Sequence, residues 1–297
     1  MKRKIIKLGE STLVASLPSK WIKKNELNPG NEIDIDEKDN QLILSSSNIK
    51  KERKEVNIII NSNNKEEIHN ILTHSYRKGF EIIKFTNIDK YICNKIKNIT
   101  KELLLGFELT KKEKNYCVVE NITEPADEKH EIILRRAFLI TKETFNQILE
   151  KQNISEIEGL KQQHDRYILF CRRSLTKKKS ENLHLYWELL TFLMHIQHSL
   201  YYMYKYITNN KIKIDKNIEK AIKELNNYFE LYYKSFFNKD LNLIYQINKI
   251  KYELHFGKFQ KSIEQKKGKN AVVYSYLKET ARLIQIGTSP IISIIIN

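Results

Sequence analysis

The chain reads as an α+β multidomain protein, and three observations point that way. Its first 47 residues alternate apolar and polar positions in short runs, whereas the residues after Asp127 repeat their apolar positions at helical spacing. Only 4 Pro and 8 Gly occur in 297 residues, which favours long regular elements over a turn-rich all-β chain. A chain of this length also has room for more than one hydrophobic core.

The elements follow in order. Ile5–Leu8, Leu13–Leu17, Glu32–Ile35 and Gln41–Leu44 are expected as strands, separated by Gly9, Pro18, Pro29-Gly30 and Lys38-Asp39-Asn40. Between the second and third, Ser19–Asn25 follows a proline suited to a helix's first turn and predicts one short helix. Residues 1–47 therefore read as a ββαββ domain. A polar linker, 48–55, leads to a small α/β domain over 56–120, with strands at Val56–Ile60, Glu81–Phe85 and Tyr116–Val119 and helices at Lys65–Lys78 and Ile88–Leu104. Glu124-Pro125 marks the next boundary, because a residue before proline resists helix. Over 125–297 six helical segments are expected, at about 127–151, 154–175, 181–208, 215–237, 239–265 and 270–296. They form two sets of three, and related phrases, Leu193-Met194-His195-Ile196-Gln197 and Ala281-Arg282-Leu283-Ile284-Gln285, fall at almost the same place in each set.

Charge narrows the function class. The 52 Lys and Arg outnumber 36 Asp and Glu, a formal +16 that favours polyanionic partners, nucleic acid or an acidic membrane face. Within residues 1–24, Lys2, Arg3, Lys4, Lys7, Lys20, Lys23 and Lys24 face Glu10 alone, a net +6. Residues 25–40 reverse this to −5, with Lys38 against Glu26, Glu32, Asp34, Asp36, Glu37 and Asp39. Such polarity orients a domain on a phosphate backbone. A ββαββ unit below roughly 60 residues also buries too small a fraction of its surface to stand alone, so a partner copy is expected.

Other features speak against competing classes. Cys93, Cys117 and Cys171 lack any paired spacing, and free thiols suit a reducing cytoplasm. No apolar h-region follows the basic Met1–Lys4, so no secretory signal is expected. The apolar stretch Leu283–Ile296 falls short of the ~20 residues a membrane span needs and is interrupted by Gly287–Pro290; it reads as the buried end of a last helix, with a membrane-surface anchor as the alternative. The aromatic runs Tyr201–Tyr206 and Tyr228–Phe237 read as bundle core or dimer interface rather than as a stacking platform for single-stranded nucleic acid. No Gly-rich phosphate loop, nucleophile elbow or paired-carboxylate site is present, so binding is expected rather than catalysis, with no cofactor. One polar helical stripe, His184, Glu188, Thr191, His195, His198 and Tyr202, has spacings suited to zinc or iron at His184 with Glu188 and His195 with His198, against the plainer reading of a solvated face.

Two resemblances complete the reading. Lys7-Leu8-Gly9-Glu10-Ser11, Ser16-Leu17-Pro18-Ser19-Lys20-Trp21 and Leu27–Ile33 resemble the AbrB/SpoVT family of DNA-binding domains over about the first 47 residues. That resemblance implies an interlocked homodimer with swapped hairpins on double-stranded DNA. Arg3, Lys7, Lys20, Lys23 and Lys24 would then contact phosphate, while Ser11 and Thr12 would offer hydroxyls to phosphate or base edges. The helical part, through Arg135-Arg136-Ala137, Asp165-Arg166-Tyr167 and the Leu193 phrase, resembles the PhoU family of phosphate-uptake regulators, whose fold is two three-helix repeats and whose archaeal members carry an AbrB-like domain in front. At that family's acidic metal positions stand Lys161 with Asp165, Met194 with His198, and Ala281 with Gln285, one carboxylate in six places, so its metal cluster is not expected. The resemblances imply a cytoplasmic transcriptional regulator of phosphate uptake. Two alternatives remain: a signalling adaptor that does not touch DNA and binds a phosphate transporter or sensor kinase, and a metal-dependent enzyme built on the histidine stripe.

Overall fold

The computed structural model describes residues 2–38, 40–46, 53–61, 64–123, 129–178 and 182–296. The chain is α+β and divides into two compact units, Met1–Arg53 and Lys54–Asn297. Alternation of apolar and polar residues in the first unit produces two separate antiparallel hairpins. One is β1 (Ile5–Leu8) with β2 (Thr12–Ala15); the other is β3 (Ile33–Lys38) with β4 (Gln41–Ser46). Between them lies α1 (Ser19–Lys24), opened by Pro18, whose carbonyl accepts the N–H groups of Trp21 and Ile22.

The second unit begins with a four-stranded sheet in the order β5-β6-β8-β7. Its strands are β5 (Glu55–Ile59), β6 (Ile82–Thr86), β7 (Phe107–Glu113) and β8 (Tyr116–Asn121), with β5 and β6 parallel and the rest antiparallel. Two helices connect them, α2 (Lys65–Arg77) and α3 (Lys90–Leu103). Asn64 caps α2 by accepting the Glu66 N–H at 2.9 Å, and Asp89 caps α3 by accepting the Ile92 N–H at 2.7 Å. The Asp89 cap explains why α3 starts two residues later than the periodicity suggests. Strand β7 was not expected at all: Phe107 is its one buried residue, and Glu108-Leu109-Thr110-Lys111-Lys112-Glu113 reads as a charged loop, as sheet-edge strands often do. Cys93 of α3 and Cys117 of β8, distant in sequence, meet in the core of this sheet.

Helices α4 (Lys129–Leu149), α5 (Ile154–Lys178), α6 (Leu183–Asn209) and α7 (Lys216–Phe237) follow, and α6 packs against α5 and against α10 (Lys269–Ile286). Both expected later segments are interrupted. The fifth is α8 (Leu241–Lys251), a π-helical stretch Tyr252–Phe259, and α9 (Gln260–Gln265). The π turn stacks residues five apart, which lets both Leu254 and Phe259 face the core; α-helical spacing would send Phe259 away from Leu254. The sixth segment breaks at Gly287, before α11 (Thr288–Ile296), where Pro290 has no N–H to continue the ladder. Among the described residues no helix is long and apolar enough to cross a membrane.

The aromatic runs supply much of the core of these helices. Phe138 lies 5.3–6.1 Å, centroid to centroid, from Phe229, Tyr232, Tyr233, Phe236 and Phe237, while Tyr201, Tyr204 and Tyr228 are also buried. Arg173 of α5 joins these helices to the sheet. The residue is only 1% exposed, and its guanidinium donates to the Tyr76 and Phe80 carbonyls at 2.9 and 2.7 Å and lies over the rings of Tyr76 and Phe107.

Candidate nucleic-acid interface

The seven residues singled out for DNA, Arg3, Lys7, Ser11, Thr12, Lys20, Lys23 and Lys24, are all in the first unit and all exposed. Gly9, at φ 74°, makes the left-handed turn that joins β1 to β2, a conformation side chains with a Cβ avoid. Leu8 then pairs with Thr12, leaving Ser11 in the turn. Directly paired residues share a face, so Ile5, Lys7, Leu13 and Ala15 occupy one side of this hairpin and Ile6, Leu8, Thr12 and Val14 the other. Lys7 and Thr12 are therefore on opposite faces.

Helix α1 sorts its residues more cleanly. At 100° per residue Lys20, Lys23 and Lys24 share one side and are exposed, while Trp21 and Ile22 are half-buried on the other. Asn25 ends the helix, donating both its backbone and its side-chain N–H to the Trp21 carbonyl. On the second hairpin, pairing puts Ile33, Ile35, Leu42 and Leu44 on one face and the acidic Asp34 and Asp36 on the other. The unit thus has a cationic element, α1, and an anionic one, β3.

What the unit lacks is a core. Among its described residues Leu27 is the single buried apolar side chain, whereas Ile5, Ile6, Leu8, Leu13, Ile35, Leu42 and Ile43 are 45–69% exposed. Two hairpins that, among the described residues, do not pair with each other have little to hold them in water.

The histidine stripe is on α6. His184, Glu188 and His195 are exposed along it; burial, then the charges of His198 and Arg172, hold the His195 pKa below its ordinary value. His198 turns inward, its Nε2 2.7 Å from Asp165 Oδ1, and the other oxygen of Asp165 accepts from Lys161 Nζ at 2.7 Å. Burial works to raise the Asp165 pKa, but the His198 hydrogen bond and the charges of His198 and Lys161 outweigh it and bring it to about 2. Lys161, Asp165 and His198 are thus gathered by α5 and α6 into an ion-paired chain. Among the described residues no three His, Cys, Asp or Glu side chains gather closely enough to hold a metal ion. Beside this chain is His164, fully buried, with neither ring nitrogen hydrogen-bonded; burial, opposed by the Asp165 charge, lowers its pKa to about 3.

Sequence reasoning missed one feature, a cavity of about 500 Å³ where α3, β7 and α5 meet. It is built from residues far apart in the chain, and no local motif announces it. In comparison with known proteins, the chain matches no family model, no curated protein and no solved structure.

Proposed function

We propose that this chain is a DNA-binding transcriptional regulator that works as a homodimer in the cytoplasm and does not catalyse a reaction. One observation carries the reading: a unit whose described residues include seven large apolar side chains in water, a single one buried, and a helix presenting three lysines to solvent. Exposed apolar area on this scale is stabilised by burial against a second copy, as in the swapped hairpins of the AbrB/SpoVT-like arrangement that the sequence resembles. Once the apolar faces are covered, the charged groups remain, and a two-fold dimer presents Lys20, Lys23 and Lys24 twice to a phosphate backbone.

We assign the helices from Lys129 onward a sensing or partner-binding role. Control of phosphate uptake is supported by the likeness of Arg135-Arg136-Ala137 and Asp165-Arg166-Tyr167 to the PhoU family. Mapping the chain's bound sites across its genome tests both parts. Enrichment beside phosphate-transport genes is the expected result; enrichment elsewhere would leave a regulator of other genes, and no enrichment would favour an adaptor whose first unit serves only to dimerise.

A further inference from the structure

We infer that the cavity between α3, β7 and α5 is a binding site for a small organic anion with an aliphatic body. Its volume, about 500 Å³, falls in the range of small-molecule pockets. Lys97 and Lys101, one turn apart on α3, and Arg166 of α5 all line it. None of the three has an ion-pair or hydrogen-bond partner among the described residues, although Glu108 also lines the cavity.

Arg166 is the most telling of these. Lys97 and Lys101 are exposed, where an unpaired ammonium costs little, but Arg166 is half-buried and its Nε is shielded from solvent without an acceptor. The guanidinium, which lines the cavity without an ion-pair partner among the described residues, can grip an incoming carboxylate or phosphate with two parallel hydrogen bonds through its terminal nitrogens.

The remaining wall selects the body of the ligand. Leu104, Leu109 and Ile122 contribute aliphatic surface. The Phe107 ring is buried and already engaged edge-on by Tyr76, centroids 5.0 Å apart, so no free aromatic face is offered to a nucleobase. Three cations together with aliphatic carbon in one cavity fit an alkyl carboxylate or alkyl phosphate. This site stands apart from the DNA-binding reading and does not depend on it.

Isothermal titration calorimetry on the full chain tests the assignment with three probes: octanoate, acetate, and the uncharged octanamide. Octanoate is expected to bind saturably, one per chain, with acetate and octanamide each at least ten-fold weaker. Arg166→Gln should weaken octanoate about ten-fold or more, the loss of a charge-assisted hydrogen bond. Lys90→Gln, on the same helix outside the cavity, should leave it unchanged. Thermal melts establish that the variants fold, and Lys101→Gln, at an exposed position, serves if Arg166→Gln does not. No saturable binding, equal binding of octanamide or acetate, or an unaltered affinity in both cavity variants would overturn the assignment.

Discussion

Leu42→Ala tests whether the first unit is completed by a second copy. Leu42 is 67% exposed on the apolar face of the β3–β4 hairpin, beside Ile35 and Leu44. Fully burying a leucine is worth about 1.5–3 kcal/mol, so covering the exposed two-thirds contributes roughly 1–2 kcal/mol per copy. A two-fold dimer loses this twice, roughly 2–4 kcal/mol, which weakens the dimer Kd about 30- to 700-fold. Sedimentation equilibrium of the full chain at micromolar concentration reads this directly. Wild type should run as a dimer and Leu42→Ala should move measurably toward monomer, while Ile132→Ala, an exposed apolar residue of α4, should leave the mass unchanged. A monomeric wild type, or a Leu42→Ala dimer as tight as wild type, would refute the reasoning.

Other consequences follow from buried groups of the second unit. Arg173→Leu removes two charge-assisted hydrogen bonds and two ring contacts, and denaturant unfolding should show a loss of about 3–6 kcal/mol; a loss below ~1 kcal/mol would mean that Arg173 does not join sheet to helices. His164 is pH-sensitive in a definite direction: its folded pKa, about 3, lies below the ordinary 6.5, so the unfolded chain binds the proton first. Its contribution is therefore fully present above pH 6.5 and is lost as pH falls toward 3, on the order of 2 kcal/mol by pH 5. His164→Leu should flatten the stability profile between pH 7 and 5 by that amount, and an identical slope in both proteins would contradict the assignment.

Much of the α+β layout was legible because periodicity survives in single stretches of sequence. The α1 helix between two hairpins, and the helices from Lys129 onward, follow from alternation, helical spacing and a few Gly and Pro. What escaped notice depends on long-range packing. Strand β7 is charged along most of its length and is defined by pairing with β8, not by its own pattern. The π-helical stretch lets Leu254 and Phe259 both join the core, a match set by the core around them and not by local spacing. The site shows the same division. Lys20, Lys23 and Lys24 fall together because they share one short helix, whereas Lys7 and Thr12 were separated by a cross-strand register that the alternation alone does not set. The pairing of His198 with Asp165, and the meeting of Lys97 and Lys101 with Arg166, join residues 33 or more positions apart.

The central claim, that the first unit holds DNA through its cations, is tested most directly by the salt dependence of duplex binding. In fluorescence anisotropy with the full chain, neutralising about 6–10 phosphates should make affinity fall roughly 10³- to 10⁵-fold between ~50 and ~200 mM salt. Lys20→Ala should make that slope shallower without changing the oligomeric state, because Lys20 is exposed on α1, and Lys261→Ala, on α9, should not alter it. Salt-independent or absent binding, or a slope that responds to Lys261 and ignores Lys20, would contradict the account.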